Sequence, residues 1–267
     1  MASREELLII RAARAGQASA QLALGKRYLY GGNGLPKSPA TALYWLDRAA
    51  SQEERDAWLL IGSHVPYEIA RQATLPKKLR TWYERAFDAG MAQAGLVFAK
   101  LVLQDETVPS DSALRRKAML ALEVAARAGI ADAQWLLAQQ LGKSEPDLHD
   151  APSVQQINQE KDDGISSANT ENNMLKWASC AAEGGVTQAQ YALANHAWDA
   201  GNQPVYLHWA LPLARKLVEC DAAEQRLRHE DVILLSRCAQ ALLLSPAFNA
   251  NEVERFCVSP KAQNFQH

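Results

Sequence analysis

A short phrase that recurs along the chain constrains its fold more than any other feature. The phrase is a pair of alanines followed three residues later by glycine, with small residues four and nine positions after the glycine. It occurs five times, and its glycine slots lie 37, 37, 39 and 56 residues apart. The residues in these slots are Gly16, Glu53, Gly90, Gly129 and Gly185. Self-similarity at such a period predicts an array of similar structural units.

Each unit has the pattern of a helical hairpin. Small residues at +4 and +9, counted from the glycine slot, leave room for two backbones to approach closely, and +8 holds the larger side chain that fills the space. The residues at +8 are Leu24, Ile61, Phe98, Leu137 and Leu193. Glycine is the usual residue just beyond a helix end. The pattern therefore predicts helix A, a loop, helix B and a glycine stop in every unit, that is, an all-α superhelix of helix-turn-helix repeats.

Tryptophans mark helix B in three of the units. Trp45, Trp82 and Trp177 each stand four residues before the alanine pair. A tryptophan at helical spacing is typical of a packed core because its large apolar area favours burial. We expect these three side chains to fill inter-helix pockets.

The first unit resembles the Sel-like repeat (SLR), a relative of the tetratricopeptide repeat. The matching segments are Ala20-Gln21-Leu22-Ala23-Leu24-Gly25, Tyr28, Gly31-Gly32-Asn33-Gly34-Leu35, Ala42-Leu43-Tyr44-Trp45 and Ala49-Ala50. Later units keep the small-residue slots but lack the Gly-x-Gly loop, and the second unit has Glu53, Pro66 and Pro76 as departures. The resemblance implies adaptor or assembly work, commonly in bacterial secretion, envelope or signalling complexes.

The repeats divide the chain into two regions of one predicted solenoid. Residues 1–200 hold about five units, interrupted by the polar segment 143–173, whose composition favours a mobile loop. After Gly201 the phrase fades, and we expect residues 201–267 to form a degenerate final repeat and a C-terminal cap. Within that region, Leu207 to Leu217, with Pro212 inside, and Val232 to Leu244 have helical patterns.

Charge and apolar content argue against two classes of partner. Lys and Arg number 28 and Asp and Glu 30, which gives a net charge of −2. The chain therefore lacks the positive field that attracts nucleic acids or anionic membranes. No apolar stretch approaches the roughly 20 residues of a membrane-spanning helix. The N-terminal apolar run, Leu7 to Ile10, is too short for a signal peptide. We expect a cytoplasmic protein without membrane insertion. The alternative that a leader sequence has been removed stays open.

No residue pattern in the sequence predicts a catalytic, metal-binding or cofactor-binding site. The cysteines, Cys180, Cys220, Cys238 and Cys257, form no CxxC motif and are expected to be free thiols. His196 and His208 lack the spacing of metal ligands. Cys220, Asp221 and His229 could imitate a nucleophilic dyad, but no motif supplies an orienting group or an oxyanion pocket. We therefore predict no catalytic residue, no metal ligand and no cofactor.

Two polar rows on helix A are the candidate partner-binding surface. The +10 slot is polar in every unit and +5 is polar in three, which suggests side chains that line a groove for a protein or peptide, with Trp58 as an aromatic anchor. The candidates are Gln21, Lys26, Trp58, Ser63, Lys100, Gln134, Gln139, Gln190 and Asn195. The alternative is a merely solvated stripe.

These observations favour a non-enzymatic scaffold that binds a protein or peptide along a solenoid groove. The alternative is an enzyme or small-molecule receptor with a pocket in residues 200–260, near the cysteines and His229. A third hypothesis is self-association as a homodimer, since an imperfect cap leaves apolar surface exposed.

Overall fold

A computed structural model describes residues 4–31, 34–73, 76–143, 167–219 and 228–244. Within these ranges the regular secondary structure consists of thirteen α-helices, so the predicted all-α class is confirmed. The helices are α1 (Arg4–Arg14), α2 (Ala18–Tyr30), α3 (Pro39–Ala50), α4 (Arg55–His64), α5 (Tyr67–Gln72), α6 (Pro76–Asp88), α7 (Ala92–Leu103), α8 (Ala113–Arg127), α9 (Ala131–Lys143), α10 (Ser167–Glu183), α11 (Thr187–Asp199), α12 (Gln203–Glu219) and α13 (His229–Leu243).

The chain forms two compact units, Met1–Gln134 and Trp135–His267. In the N-terminal unit, α2, α4 and α7 are helices A, while α3, α6 and α8 are helices B. In this unit α2 packs on α3, α3 on α4, α4 on α6, α6 on α7 and α7 on α8, and α4 also contacts the helices A on either side of it. In the C-terminal unit, α10 packs on α11, α11 on α12 and α12 on α13. Stacking of hairpins on adjacent hairpins is the packing expected of helical repeats.

The small-residue slots lie where helices come closest. At Gly62, a Cβ atom would stand 2.5 Å from the Cβ of Ala86, and at Gly25 it would stand 2.6 Å from Cδ2 of Leu46. The five residues predicted at +8 are all buried. The hairpin pattern is therefore confirmed: small residues admit the neighbouring helix, and the larger residue before them fills the core.

The glycine slots end their helices in the left-handed conformation. Gly90 has φ 93°, and its N–H and that of Met91 donate to carbonyls of the last turn of α6. Glu53 occupies the same conformation with φ 63°, and the N–H groups of Glu53 and Glu54 make the equivalent bonds to Ala50 and Ala49. The second unit therefore keeps the helix stop although it lacks the glycine.

The tryptophans contribute to packing to different degrees. Trp82 is buried, and its Nε1 donates to Oδ1 of Asp47 at 2.7 Å. Trp177 is half-buried against the alanine-rich core of the C-terminal unit. Trp45 is also half-buried and meets the ring of Tyr44 edge-on. A core role is confirmed for Trp82, while the other two lie at the core boundary.

Two boundaries differ from those expected. Lys143 ends α9 and α10 begins at Ser167, so both ends of the predicted 143–173 loop are helical, and residues 144–166 lie outside the described ranges. The polar residues 171–173 are exposed on the first turns of α10, where their composition signals a solvent-facing helix surface rather than a loop.

The short helix α5, preceded by Pro66, was not predicted. Pro76 begins α6, where proline's missing N–H removes no helical hydrogen bond.

The two helices predicted after Gly201 are present. Leu207 to Leu217 lies within α12, which contains Pro212, and the second predicted helix coincides with α13 apart from its ends. The proposed division at residue 200 stays a prediction. The C-terminal cap falls partly on residues 245–267, which lie outside the described ranges.

Candidate functional site

The glutamines of the +5 row serve the fold. Each donates its Nε2 to the carbonyl of the second alanine in the preceding pair: Gln21 to Ala13 at 3.1 Å, Gln134 to Ala126 at 3.2 Å, and Gln190 to Ala182 at 2.9 Å. Gln21 and Gln134 are buried and Gln190 is half-buried. Each of these carbonyls also accepts the N–H of the following glycine slot, so the amides join the start of helix A to the helix stop before it. A groove role for this row stays a prediction.

Trp58 is half-buried and packs against the core of the N-terminal unit. Its indole is therefore neither fully enclosed nor a free-standing surface side chain. Its role as an aromatic anchor for a partner stays a prediction.

The +10 row lies at the surface, and its two lysines contact the next helix A. Lys26 pairs with Asp56 at 3.5 Å and Lys100 with Asp132 at 3.6 Å, and both aspartates occupy the +3 slot of the following unit. Exposed pairs of this kind contribute little stability. The remaining members differ: Ser63 donates to the carbonyl of Leu59, Asn195 accepts from Arg237, and Gln139 is exposed.

An equivalent ionic contact recurs between helices B. Lys78 of α6 pairs with Asp47 of α3 at 3.0 Å, and Lys117 of α8 pairs with Glu84 of α6 at 2.7 Å. In each case the lysine stands eight residues before its alanine pair or the matching slot, and the acid stands two residues before its own. The same charge pattern therefore joins successive units on this side of the hairpins.

A concave surface of the N-terminal unit lies on the helix B side, where the sequence did not predict a site. A cleft of about 740 Å³, here called the α3–α6 cleft, lies between α3, α5 and α6. Leu43, Ile69 and Leu79 supply apolar side chains to its lining. Its polar lining includes Tyr44, Asp47, Arg48, Gln52 and Lys78, and buried Gln21 borders it.

Hydrogen bonds hold the polar wall of the α3–α6 cleft in place. Asp47 accepts from Trp82 Nε1 on one oxygen and from Lys78 Nζ on the other. Gln52 donates to the carbonyl of Gly16 at 3.0 Å and to Oε1 of Gln21 at 2.8 Å. The first set joins α3 to α6, and the second joins the end of α3 to the turn before α2, so the wall is formed before any partner binds.

Tyr44 and Arg48 form an exposed pair on the rim of the α3–α6 cleft. Nη1 of Arg48 donates to the Tyr44 hydroxyl at 3.0 Å, and the guanidinium carbon lies 5.5 Å from the ring centroid. Tyr44 remains 53% exposed. Tyrosine and arginine are enriched at the energetic centres of protein interfaces. In the sequence, the i, i+4 spacing of the two residues on helix B was the signal that could have indicated this pair.

The C-terminal unit has a second cleft of about 700 Å³, the α11–α13 cleft, lined by Tyr191, Asn195, Arg228, Ile233 and Arg237 among others. Beside it, the Tyr191 hydroxyl donates to Oδ1 of Asp231 at 2.5 Å, and Arg228 donates to both carboxylate oxygens at 3.2 Å. Burial raises the pKa of Asp231, but these hydrogen bonds outweigh it and the pKa lies below its ordinary value. Burial and the adjacent carboxylate raise the pKa of Tyr191.

The other sequence candidates for chemistry are placed as follows. Cys180 is half-buried, and Cys238 is buried with its Sγ 3.7 Å from the Tyr206 hydroxyl; within the described part of the chain neither forms a disulfide. Cys220, Asp221 and Cys257 lie outside the described ranges. Over the residues that the structure describes, no group of three or more His, Cys, Asp or Glu side chains could hold a metal ion. In the same part of the chain, no helix has the length and apolar content needed to cross a bilayer.

No known family model matches the sequence, and no curated protein does. Among solved structures, a Sel1 repeat protein from Oxalobacter formigenes is 22% identical, with a TM-score of 0.47 over 79% of this chain and 78% of its own. The protective antigen c5321, present in uropathogenic Escherichia coli strains and displaying an SLR fold, is 15% identical, with a TM-score of 0.47 over 94% of this chain and 55% of its own.

At these TM-scores the decisive feature is the repeat itself. Alanine pairs end helices B, left-handed residues stop them, and small residues at +9 admit the neighbouring helix. This pattern resembles the Sel-like repeat. In these repeats the +5 glutamines and the helix B ion pairs make contacts within the fold, whereas the Tyr44–Arg48 pair of the first repeat stays exposed.

Proposed function

We propose that this Sel-like repeat chain is a non-enzymatic scaffold that holds a segment of a protein partner in the α3–α6 cleft. One observation carries the proposal: an apolar lining, formed in part by Leu43, Ile69 and Leu79, stands beside a polar rim with the exposed Tyr44–Arg48 pair. An apolar centre with a polar rim is the usual anatomy of a protein interface.

The cleft is formed in advance by contacts within the unit. Asp47 receives hydrogen bonds from both Trp82 and Lys78, so α3 and α6 are joined along one wall. Gln52 joins the other end of α3 to the α1–α2 turn. A preformed site favours binding because the protein loses little conformational freedom when the partner arrives.

A peptide selection on the purified chain tests the proposal. A random peptide library displayed on phage is selected against the wild-type chain, and dissociation constants of the recovered peptides are measured by fluorescence anisotropy. We expect Tyr44→Ala to weaken binding about 5- to 30-fold, which corresponds to a cost of about 1–2 kcal/mol for truncating an interface tyrosine. Circular dichroism of each variant verifies that it folds.

Leu120→Ala is the matched control. Leu120 occupies the same slot in α8 as Tyr44 does in α3, and the two side chains are 54% and 53% exposed. Leu120 does not line the α3–α6 cleft. The proposal requires that this variant bind like the wild type. Recovery of no peptide, or equal loss in both variants, would contradict it.

We propose a second candidate function, that of a small-molecule receptor whose binding site is the α11–α13 cleft. It is favoured by the polar groups that converge there, with Arg237 held by Asn195 at 2.9 Å and by the ring of Trp198 at 5.1 Å. Thermal denaturation in the presence of a panel of small polar metabolites tests this candidate. A compound that raises the melting temperature of the wild type but not of Arg237→Ala would support it, and a panel without such a compound would oppose it.

The wider setting of the scaffold is also a proposal. We place the chain in the cytoplasm, with a partner from a bacterial secretion, envelope or signalling assembly, as its resemblance to Sel-like repeats suggested. Cell fractionation checks the compartment. Self-association is checked by light scattering over a range of concentrations, and a concentration-independent monomer would remove it.

A further inference from the structure

We infer that the segment held in the α3–α6 cleft is acidic, with an Asp or Glu beside an apolar residue. Its carboxylate binds Arg48 at the rim, and its apolar side chain contacts the lining formed by Leu43, Ile69 and Leu79. This inference rests on the proposed function and adds the chemistry of the partner to it.

The charges of the cleft leave Arg48 uncompensated. Asp47, Arg48 and Lys78 are the charged side chains that line it. Asp47 pairs with Lys78 at 3.0 Å, so these two charges offset each other. The nearby acid Glu53 pairs with Arg85 at 2.9 Å. Arg48 forms no ion pair with any residue that the structure describes, and the lined surface therefore carries one net positive charge.

The geometry of the Tyr44–Arg48 pair suits a carboxylate. Arg48 uses Nη1 to donate to the Tyr44 hydroxyl, and a guanidinium has five N–H donors in total. The remaining donors can bind both oxygens of a carboxylate in the fork arrangement that arginine favours. Because the Tyr44 oxygen accepts from Arg48, its own O–H proton can also donate to the incoming carboxylate.

An apolar neighbour of the acid has a defined place in the same cleft. Leu43 precedes Tyr44 on α3 and is buried, and Leu79 follows Lys78 on α6 and is buried as well. Ile69 on α5 is half-buried and packs against the same core. The lining is therefore adjacent to the rim, and an extended segment can satisfy both with neighbouring residues. A basic segment would instead meet the uncompensated positive charge of Arg48.

The test compares peptides and variants from the same selection. We expect the selected peptides to carry an acidic residue next to an apolar one. Replacing that peptide acid by its amide, or making Arg48→Gln, should each weaken binding at least tenfold, while Arg48→Lys should weaken it less. The two changes together should cost little more than either alone, because both remove the same contact. Selection on Arg48→Glu should lose the acidic preference.

Arg85→Gln is the matched control. Arg85 stands in α6 in the slot that Arg48 occupies in α3, but it pairs with Glu53 and does not line the cleft. It should leave peptide affinity unchanged. Peptides that require Tyr44 but lack an acid and tolerate Arg48→Gln would overturn this inference and leave the scaffold proposal intact. A selection that yields no Tyr44-dependent peptide would overturn both.

Discussion

Replacing Gly62 by alanine tests the principle on which the repeats pack. The added Cβ would stand 2.5 Å from the Cβ of Ala86 and 3.1 Å from the Cβ of Ala94, whereas carbon atoms in contact prefer about 3.5–4.0 Å. The side chain of Ala86 is a single methyl group on the facing helix and cannot move away by a rotamer change. The two helices, α4 and α6, must therefore separate by roughly 1 Å. Such overpacking costs about 1–3 kcal/mol.

Helix propensity works in the opposite direction. Alanine stabilises a helix interior by about 0.8–1.0 kcal/mol relative to glycine. We therefore expect Gly62→Ala to lower the free energy of unfolding by about 1 kcal/mol and at most about 2 kcal/mol, the difference between the two effects. Urea unfolding followed by far-ultraviolet circular dichroism measures this difference through the midpoint and slope of the transition.

Gly142→Ala provides the comparison. Gly142 also lies within a helix, α9, but its added Cβ would meet only Sδ of Met174, the far end of a flexible side chain, at 3.0 Å. This variant should be as stable as the wild type or slightly more stable. If Gly62→Ala were also as stable as the wild type, close approach at +9 would not be the reason for the small residue.

Three further changes follow from the structure. Glu53→Gly should raise the free energy of unfolding by up to about 1 kcal/mol, measured in urea, because glycine removes the cost of a left-handed φ of 63° and only an exposed pair with Arg85 is lost. Gln134→Ala should lower it by about 1–2 kcal/mol, since the bond to Ala126 is lost and the space is left empty. The pKa of Asp231 is depressed in the folded chain, so its contribution is present above its unfolded pKa and is lost as pH falls through the folded value. Acid titration of stability should therefore be shallower in Asp231→Asn, and an unchanged titration curve would contradict this assignment.

Most of the fold could be predicted because the repeat reports packing directly. A large residue at +8 followed by a small one at +9 is sufficient to identify which face of helix A meets its neighbours, and Phe98 and Ala99 are buried as expected. The start of α10 could not be predicted, because its polar residues 171–173 lie on an exposed face of the helix. Composition alone does not separate such a surface from a loop.

The site was harder to predict than the fold. A glutamine on an otherwise apolar helix has to find a partner, and the pattern cannot say whether that partner is water, another protein or the carbonyl of Ala13. The α3–α6 cleft joins residues such as Tyr44 and Lys78 from different repeats. Which charges remain uncompensated depends on contacts between α3 and α6, such as that of Lys78 with Asp47, and only the structure gives these.

The lysine-to-acid contacts between helices B have a consequence for how such a chain can change its length. Lys78 meets Asp47, and Lys117 meets Glu84, through the same relative positions. Deleting residues 54–90 would remove one whole period and bring Lys117 opposite Asp47, again a cation facing an anion. Gain or loss of a complete module during evolution therefore preserves the electrostatic match at the new junction, and loop length can vary between modules, since the two existing contacts join residues 31 and 33 positions apart.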